Sequence, residues 1–414
     1  MSGARLFLFD DRRARWWAPF TLTRPAGELL YGCMTLRARA ERVLGLPCSG
    51  HITRRALAAF EEPDAPPVVA EEELDDRGMR IFLLSRAAPE FQAPPDLSRP
   101  GRIMMGDVCV GRIVEDGAPP PDAAWFADPN GGGSADAADS PGAEVPLVGE
   151  VLERPWDLLA RNAVRVHVDI ERIWLDDHRP PEVIHVARTG GFELSMAHDA
   201  EIDPGVVVDT RDGPIRLDSG VRVEGPARLV GPLFVGPGSV VLGGTVARSS
   251  LGPVCRVRGE VTDSVFLGFD NKAHDGYMGH AILGQWVNLG AATTNSDLKN
   301  NYGTVRVWTL EGEVDTGLLK VGCFLGDHVK TGIGTLLNTG TVVGAGSNLF
   351  GGVMPPKAVP PFSWGSGSDL RDYRLDRFLE TAQRAMARRD RRLSPGMRVL
   401  LTEAWRATRT RRNQ

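Results

Sequence analysis

From about Ile202 to Gly351 apolar and small residues recur at a step of six, and this step constrains the fold more than any other feature of the chain. Leu217, Val223, Leu229, Val235 and Val241 form one run. A later block holds Val321, Asp327, Ile333, Thr339, Ala345 and Gly351 beside a parallel column of Leu325, Thr331, Leu337, Val343 and Leu349. Between them, Asn271, Tyr277, Leu283, Leu289 and Asn295 keep the step, and His274 and His280 repeat it three positions away. A helix would repeat near 3.6 residues, and a β-sandwich would alternate over about four to eight residues with turn signals more widely spaced. Six-residue repetition with glycines at the corners predicts a parallel β-helix, in which short strands each bury an apolar residue and three of them close a triangular coil.

The flanks have a different texture. LFLFD at 5–9, IFLLS at 81–85 and 102–114 read as strands, and the stretch from Pro25 to Leu44 has helical spacing through Leu29, Leu36, Ala40, Val43 and Leu44. An α/β domain over 1–170 follows. Residues 130–146 are small and polar, as expected of a flexible insertion. A helix after Pro155, with Leu158, Leu159, Ala163 and Val166 on one face, is suited to dock this domain on the next. A connecting segment spans 171–201, the coil 202–366, and helices 367–414, with Leu370, Leu375, Phe378, Leu379, Ala382 and Met386 on one face and Ser394-Pro395 starting a second helix. Arginines crowd this tail. They read either as a solvated helix face or as help in holding an anionic ligand.

Composition narrows the class. The 414 residues carry a net charge of -5, which argues against a nucleic-acid partner, and 42% hydrophobic content fills more than one core. Five scattered cysteines, never in CxxC, fit reduced thiols, and no apolar run reaches membrane-spanning length. A soluble, cytoplasmic protein is expected.

A polar residue on the wall of a coil is positioned without a loop folding over it. His274 is the best placed: a neutral imidazole accepts a proton from an attacking amine or hydroxyl, and Lys272, Tyr277 and Asn288 are near enough in sequence to orient an anionic, hydroxyl-rich substrate. His274 and His280, with Asp275, are also conceivable metal ligands. Asn288, Asn295, Asn300 and Asn301 suit amide ladders between coils.

The segment 274–294, HDGYMGHAILGQWVNLGAATT, resembles the acetyltransferase domain of the bifunctional N-acetylglucosamine-1-phosphate uridylyltransferase/glucosamine-1-phosphate acetyltransferase family. The matching positions are His274, Tyr277, Gly279, Leu283, Gly284, Asn288, Leu289, Gly290, Ala291 and Thr293, with Ala292 in place of a glycine. The resemblance implies a left-handed β-helix and a homotrimer, with His274 as the general base that deprotonates the sugar amine and Tyr277 and Asn288 on the sugar phosphate. It places acetyl-CoA between neighbouring coils, with Ala345 as a contact, Asp327 where the family has a serine, and Asn301 and Tyr302 as the counterpart of an Asn-Tyr pair. APFTLTRP at 18–25 is similar to a segment of sugar nucleotidyltransferases, although DDRRARWW stands where that family has a Gly-rich loop. Arg13, Arg15 and Arg24 would then meet phosphate in place of backbone amides, and Asp107 in MMGDV would hold Mg2+.

Taken together, FTLTRPAGEL, RPWDLL and the NKAHDG to NNYGTVRVW block resemble a divergent bacterial branch of the bifunctional family. The expected activity is acetyl-CoA-dependent N-acetylation of an amino sugar 1-phosphate, coupled to nucleotidyl transfer in nucleotide-sugar (UDP-N-acetylglucosamine-type) synthesis, with Lys272 and tail arginines screening the phosphate. Two alternatives stand beside it. One is a sugar-1-phosphate nucleotidyltransferase whose coil only trimerises or regulates; the other is a non-catalytic scaffold that binds nucleotide sugars.

Overall fold

The computed structural model describes residues 3–92, 94–131, 143–174 and 186–409. The N-terminal sheet is built from β1 (Arg5–Phe9), β2 (Cys48–Ile52), β3 (Arg80–Leu84), β4 (Gly101–Met105), β5 (Val108–Val114) and β6 (Ala143–Pro146), in the order β2-β1-β3-β5-β4-β6. β1 is parallel to both β2 and β3, and β5 runs antiparallel to β3 and β4. Leu6, Phe7, Leu8 and Phe9 are all buried, as a strand covered on both faces requires. Most of the expected flexible insertion lies outside the described residues, but its last four residues, Ala143–Pro146, pair with β4. The helix expected from Pro25 starts only at Leu36: α1 (Leu36–Leu44) is capped by Thr35, whose side chain accepts from the Ala38 amide, and it ends at Gly45 with φ of 66°. Ahead of it, Leu30–Tyr31 and Met34–Thr35 form a hairpin through Gly32, whose φ of 71° favours glycine.

The second half is a three-sided parallel coil of about ten turns. Its sheets have six, nine and ten strands, and the first turn begins at Ala187, ahead of the expected Ile202. Leu217, Val223, Leu229, Val235 and Val241 line the interior, as do Leu283, Leu289, Leu325, Leu337, Val343 and Leu349. The run from Val321 to Gly351 is not an interior column. Val321 packs toward the N-terminal domain, Asp327 is buried at the same boundary, and Ile333 is 75% exposed. Residues 296–320 interrupt the repeat and carry a hairpin, Arg306–Thr309 paired with Gly312–Asp315.

One corner of the coil is held by residues in the left-handed region. Val254, Phe269, Trp286, His328 and Phe362 all have positive φ, and each stands two residues before a position in a strand of the ten-stranded sheet, with Gly346 at the equivalent place between the last two. Such backbone is uncommon for large side chains. Stacking offsets it: the Phe269 and Trp286 rings are 4.3 Å apart, and Trp286 lies parallel to His328. α3 (Leu375–Ala387) closes this ladder by setting Phe378 against Phe362 and His328. Leu370, expected on that helix, instead sits in the short strand Asp369–Asp372. The last helix, α4 (Pro395–Ala407), starts at the Ser394 cap as expected and joins Leu57 and Phe60 of the N-terminal domain in one apolar cluster.

The N-terminal domain lies on the outer face of the nine-stranded sheet. Val265, Leu267, Ile282, Phe324 and Val342 of the coil share a cluster with Trp17, Phe20, Leu29 and Tyr31. The expected docking helix takes the same part: Val166 and Ile170 of Asn162–Ile173 pack with Cys33 and with Phe234 of the coil. At the centre of the boundary Arg24, 1% exposed, donates through Nε and Nη2 to Asp327 Oδ2 at 3.2 and 2.8 Å and through Nη1 to Glu62 at 3.2 Å. Thr23 Oγ1 donates to the same Asp327 oxygen at 2.7 Å, and the Gln285 amide to the other at 2.8 Å. This corrects two sequence expectations. Arg24 does not face a phosphate and Asp327 does not face an acetyl group, because each is buried as the other's counter-charge.

Removing one partner of a buried ion pair leaves an uncompensated charge. Arg24→Ala is therefore expected to lower unfolding stability by about 3–5 kcal/mol, with Arg24→Met plus Asp327→Leu recovering most of the loss. Denaturant midpoints of the purified variants measure both, and an Arg24→Ala loss under about 1 kcal/mol contradicts the assignment.

Candidate functional site

The segment singled out by its repeat forms two neighbouring coil edges. Asn271–Lys272 is a strand, and 273–276 turn a corner. His274 is exposed at the tip of that turn, and no described residue hydrogen-bonds its imidazole. Lys272 is 2% exposed, and its Nζ donates to the Arg258 and His274 carbonyls, both at 2.9 Å. It braces the turn under His274 rather than meeting a ligand, which corrects the expectation for Lys272. Asp275 accepts from Arg258 at 3.1 Å. Asn288, on the next coil, accepts from Asn271 Nδ2 at 3.0 Å, and Asn271 in turn accepts from Arg389 of the C-terminal tail at 3.3 Å. Asn295 bridges coils inside, exchanging bonds of 2.8 Å with the Gly279 amide and carbonyl.

Tyr277 does not point alone. Its hydroxyl donates to Asp297 Oδ2 at 2.8 Å, and His280 Nδ1 lies 2.7 Å from the same oxygen. Burial, and then Asp297, push the Tyr277 phenol above its usual range. His280 borders a cavity of about 280 Å³, together with Arg248, Asp263 and Lys320. The sequence reading missed this His280–Asp297 pair because Asp297 lies two residues beyond Asn295, where the step of six ends. The signal that could have found it was the His274/His280 repeat itself. His280 has its partner in Asp297, and no group of three or more His, Cys, Asp or Glu side chains suited to a metal occurs among the described residues.

Other expected ligand residues scatter. Ala345 is fully buried, its carbonyl accepting from the Phe362 amide at 2.8 Å. Asn301 and Tyr302 sit in an exposed turn of the 296–320 insertion, where Asn301 accepts from the Gly303 amide. Of the tail arginines, Arg389 reaches Asn271 and Arg391 lies over the Phe269 ring, while Arg384 and Arg406 form exposed pairs within their helices. Arg411 and Arg412 fall outside the described residues.

In the N-terminal domain, the ends of β1 and β3 bring together acids the sequence reading had not used. Asp10 is buried and accepts from Thr53 Oγ1 at 2.6 Å, from the Ala26 amide at 3.2 Å and from Ser85. Asp11 takes a bidentate pair from Arg86 at 2.9 to 3.1 Å. Arg13 is exposed and pairs with Glu153. Arg15 donates through Nε to the Asp10 carbonyl at 2.8 Å, and its Nη2 makes no hydrogen bond, 3.5 Å from Glu71. Asp107 lies exposed at the tip of the β4–β5 hairpin and belongs to no group of three or more His, Cys, Asp or Glu side chains among the described residues.

Fold and site thus define an abbreviated nucleotidyltransferase-like α/β domain joined to a parallel β-solenoid with a helical end. Residues 6–177 match a family described as sugar nucleotidyl transferase. The chain is 26% identical over 206 residues to a bifunctional sugar-1-phosphate nucleotidylyltransferase/acetyltransferase of Sulfurisphaera tokodaii, covering 48% of this chain and 50% of that protein. It is 29% identical over 248 residues to the bifunctional protein GlmU of Stenotrophomonas maltophilia, covering 55% and 47%, and 26% identical over 179 residues to that of Nitrosospira multiformis, covering 38% and 35%. The chain spans half or less of the length of these curated relatives. The family match falls within the N-terminal part of the chain, which it marks as similar to sugar nucleotidyl transferases.

Burial pushes the Lys272 ammonium down to about 8. An unfolded lysine titrates near 10.4, so between the two values the unfolded chain binds more protons and stability rises with pH. Lys272→Met is expected to flatten part of the rise between about pH 8 and 10, with Lys330, also held at about 8 by burial, supplying the remainder. Urea midpoints across that range measure it; an unchanged slope contradicts the buried brace.

Proposed function

We propose that the chain is an acetyl-CoA-dependent N-acetyltransferase acting on an amino sugar 1-phosphate at the coil corner carrying His274, joined to an N-terminal domain that handles sugar-1-phosphate nucleotidyl transfer. The observation that carries this reading is the corner itself. His274 is the exposed imidazole of a turn braced from below by Lys272, and the strand leading into that turn carries Asn271, which bonds Asn288 on the next coil. The relatives named as nucleotidylyltransferase/acetyltransferases support the same class.

In this reading the sugar amine attacks the thioester carbonyl. The N–C bond forms as the C–S bond breaks, and the amine proton passes to His274 and on to the departing thiolate of coenzyme A. Amides of the rigid coil stabilise the oxyanion. Tyr277, tied to Asp297, and Asn288, tied to Asn271, orient the sugar phosphate.

The corner of His274 continues along the coil. The Ala292 amide donates to the Asp275 carbonyl and the Gly334 amide to that of Ala291, so 273–276, 290–293 and 332–335 stack. Beside the last of these, Ile333, Leu336, Phe350, Val353, Met354 and Trp364 are exposed. An apolar strip of this kind supports self-association, here as the homotrimer of left-handed coils that the family resemblance implies, with His274 at the edge of the covered surface. None of the five cysteines forms a disulfide, and no described helix is long and apolar enough to cross a membrane, which accord with a cytoplasmic setting.

Incubation with acetyl-CoA, UTP and either glucosamine 1-phosphate or its N-acetyl form, with thiol and pyrophosphate followed separately, tests both halves. His274→Ala is expected to lower thiol release by about two to four orders of magnitude while the melting temperature holds. An unchanged rate removes His274 as the base. Ile333→Asp is expected to shift the mass measured by light scattering from trimer to monomer and to lower thiol release; a monomeric parent protein contradicts the assembly.

A further inference from the structure

Successive side chains of a strand point to opposite faces, so each short strand of the ten-stranded sheet turns one residue inward and its neighbour outward. Val223, Val241, Val257 and Leu289 fill the interior, and the residues before them, Arg222, Val240, Arg256 and Asn288, stand in register with Asn271 on the other side of the wall. The turn that follows α3, RRDRR at 388–392, lies against this outer column. Arg389 Nη2 donates to Asn271 Oδ1 at 3.3 Å, and the Arg391 guanidinium stands 5.8 Å from the centre of the Phe269 ring.

Elsewhere on the coil the arginines are paired: Arg222 with Glu224, Arg248 with Asp263 and Arg258 with Asp275. Here they are not. Among the described residues, no carboxylate pairs with Arg256, Arg388, Arg389, Arg391 or Arg392, and the turn itself supplies only Asp390. Arg256 is held by neutral oxygens, its Nη1 donating to the Gly238 and Cys255 carbonyls at 2.9 and 3.1 Å. Its Nε and Nη2 make no hydrogen bond to a described residue. Arg389 is held the same way, by the Arg388 carbonyl and Asn271 at 3.3 Å each, while its Nε is buried without a partner. Carbonyls orient a guanidinium but leave its charge in place. Burial, and then Arg389, push Arg256 below its usual range, and burial, and then Arg388, do the same to Arg389. Like charges pressed together in this way are stabilised by an anion between them.

We infer that Arg256 of the coil and Arg388 and Arg389 of the turn form a binding site for an inorganic condensed phosphate, of the diphosphate class. Arg256 Nε and Nη2 and the buried Arg389 Nε supply free donors, and guanidinium forks suit phosphoryl oxygens. Charge selects the condensed form. The five unpaired guanidiniums less Asp390 leave a surplus of four positive charges, whereas a single phosphate group brings at most about two negative ones. Asn271 sets the spacing, because it holds Arg389 and is itself tied to Asn288. An occupant fastens the turn to the coil wall, and with it α3, whose Phe378 closes the aromatic corner on Phe362 and His328. The inference rests on these side chains alone and not on acetyl or nucleotidyl transfer.

Calorimetric titration of the full chain with diphosphate, phosphate and sulfate, without divalent metal and at fixed ionic strength, tests it. Diphosphate is expected to bind at least about tenfold tighter than either single anion. Hydrogen exchange measured with and without diphosphate is expected to slow in peptides spanning 375–392. Arg256→Gln and Arg389→Gln are each expected to weaken binding roughly tenfold or more and to remove that slowing. Arg384→Gln takes an equal charge from an arginine already paired with Glu380 and is expected to change neither readout. An equal loss in Arg384→Gln, undiminished binding in Arg256→Gln plus Arg389→Gln, slowing confined to the N-terminal domain, or no binding at millimolar diphosphate overturns the site. Thiol release from acetyl-CoA is read separately, so failure here leaves the acetyl-transfer reading standing, and the reverse.

Discussion

A single buried charge cluster, Arg24 with Asp327 and Glu62, fixes how the two halves of this molecule meet. The apolar cluster around Trp17, Phe20 and Phe324 supplies area, but area alone does not set register. Arg24 does, because a guanidinium sealed from water tolerates only a geometry in which its donors are satisfied. Thr23 and the Gln285 amide complete the Asp327 oxygens from either side of the boundary.

The coil gives the His274 corner its rigidity by other means. Each turn hydrogen-bonds to its neighbours along three parallel sheets, and stacked rings stabilise a corner whose backbone large residues seldom adopt. Asn271–Asn288 and the Asn295 bridge add side-chain links across the same turns. An imidazole mounted on such a wall is held in place while remaining exposed, which is what the role proposed for His274 requires.

Much of this architecture was legible in the sequence, because a step of six has few structural solutions. The interior columns through Leu217 and Leu325 follow from it directly. The run from Val321 to Gly351 kept the same step yet left the interior: periodicity states that residues share a column, not which side of the wall the column occupies. The helix expected from Pro25 failed over its first turns because Gly32 and the Thr35 cap, both local signals, outweigh an apolar spacing. The site was less legible. Arg24 and Asp327 were read as ligand contacts because each is charged and near a motif, whereas their partnership spans 303 positions and no local pattern encodes it. The His280–Asp297 pair and the Asp11–Arg86 pair were missed for the same reason.

The central claim is that the N-terminal domain and the coil form one body, joined at the buried Arg24–Asp327 pair. Hydrogen exchange of the full chain in rising urea, followed by peptide mass spectrometry, tests it most directly. Peptides from β1 and β3 and peptides from the coil turns at 265–283 and 324–343 are expected to lose protection in one shared transition. Loss of protection across the N-terminal sheet while the coil stays protected would contradict it.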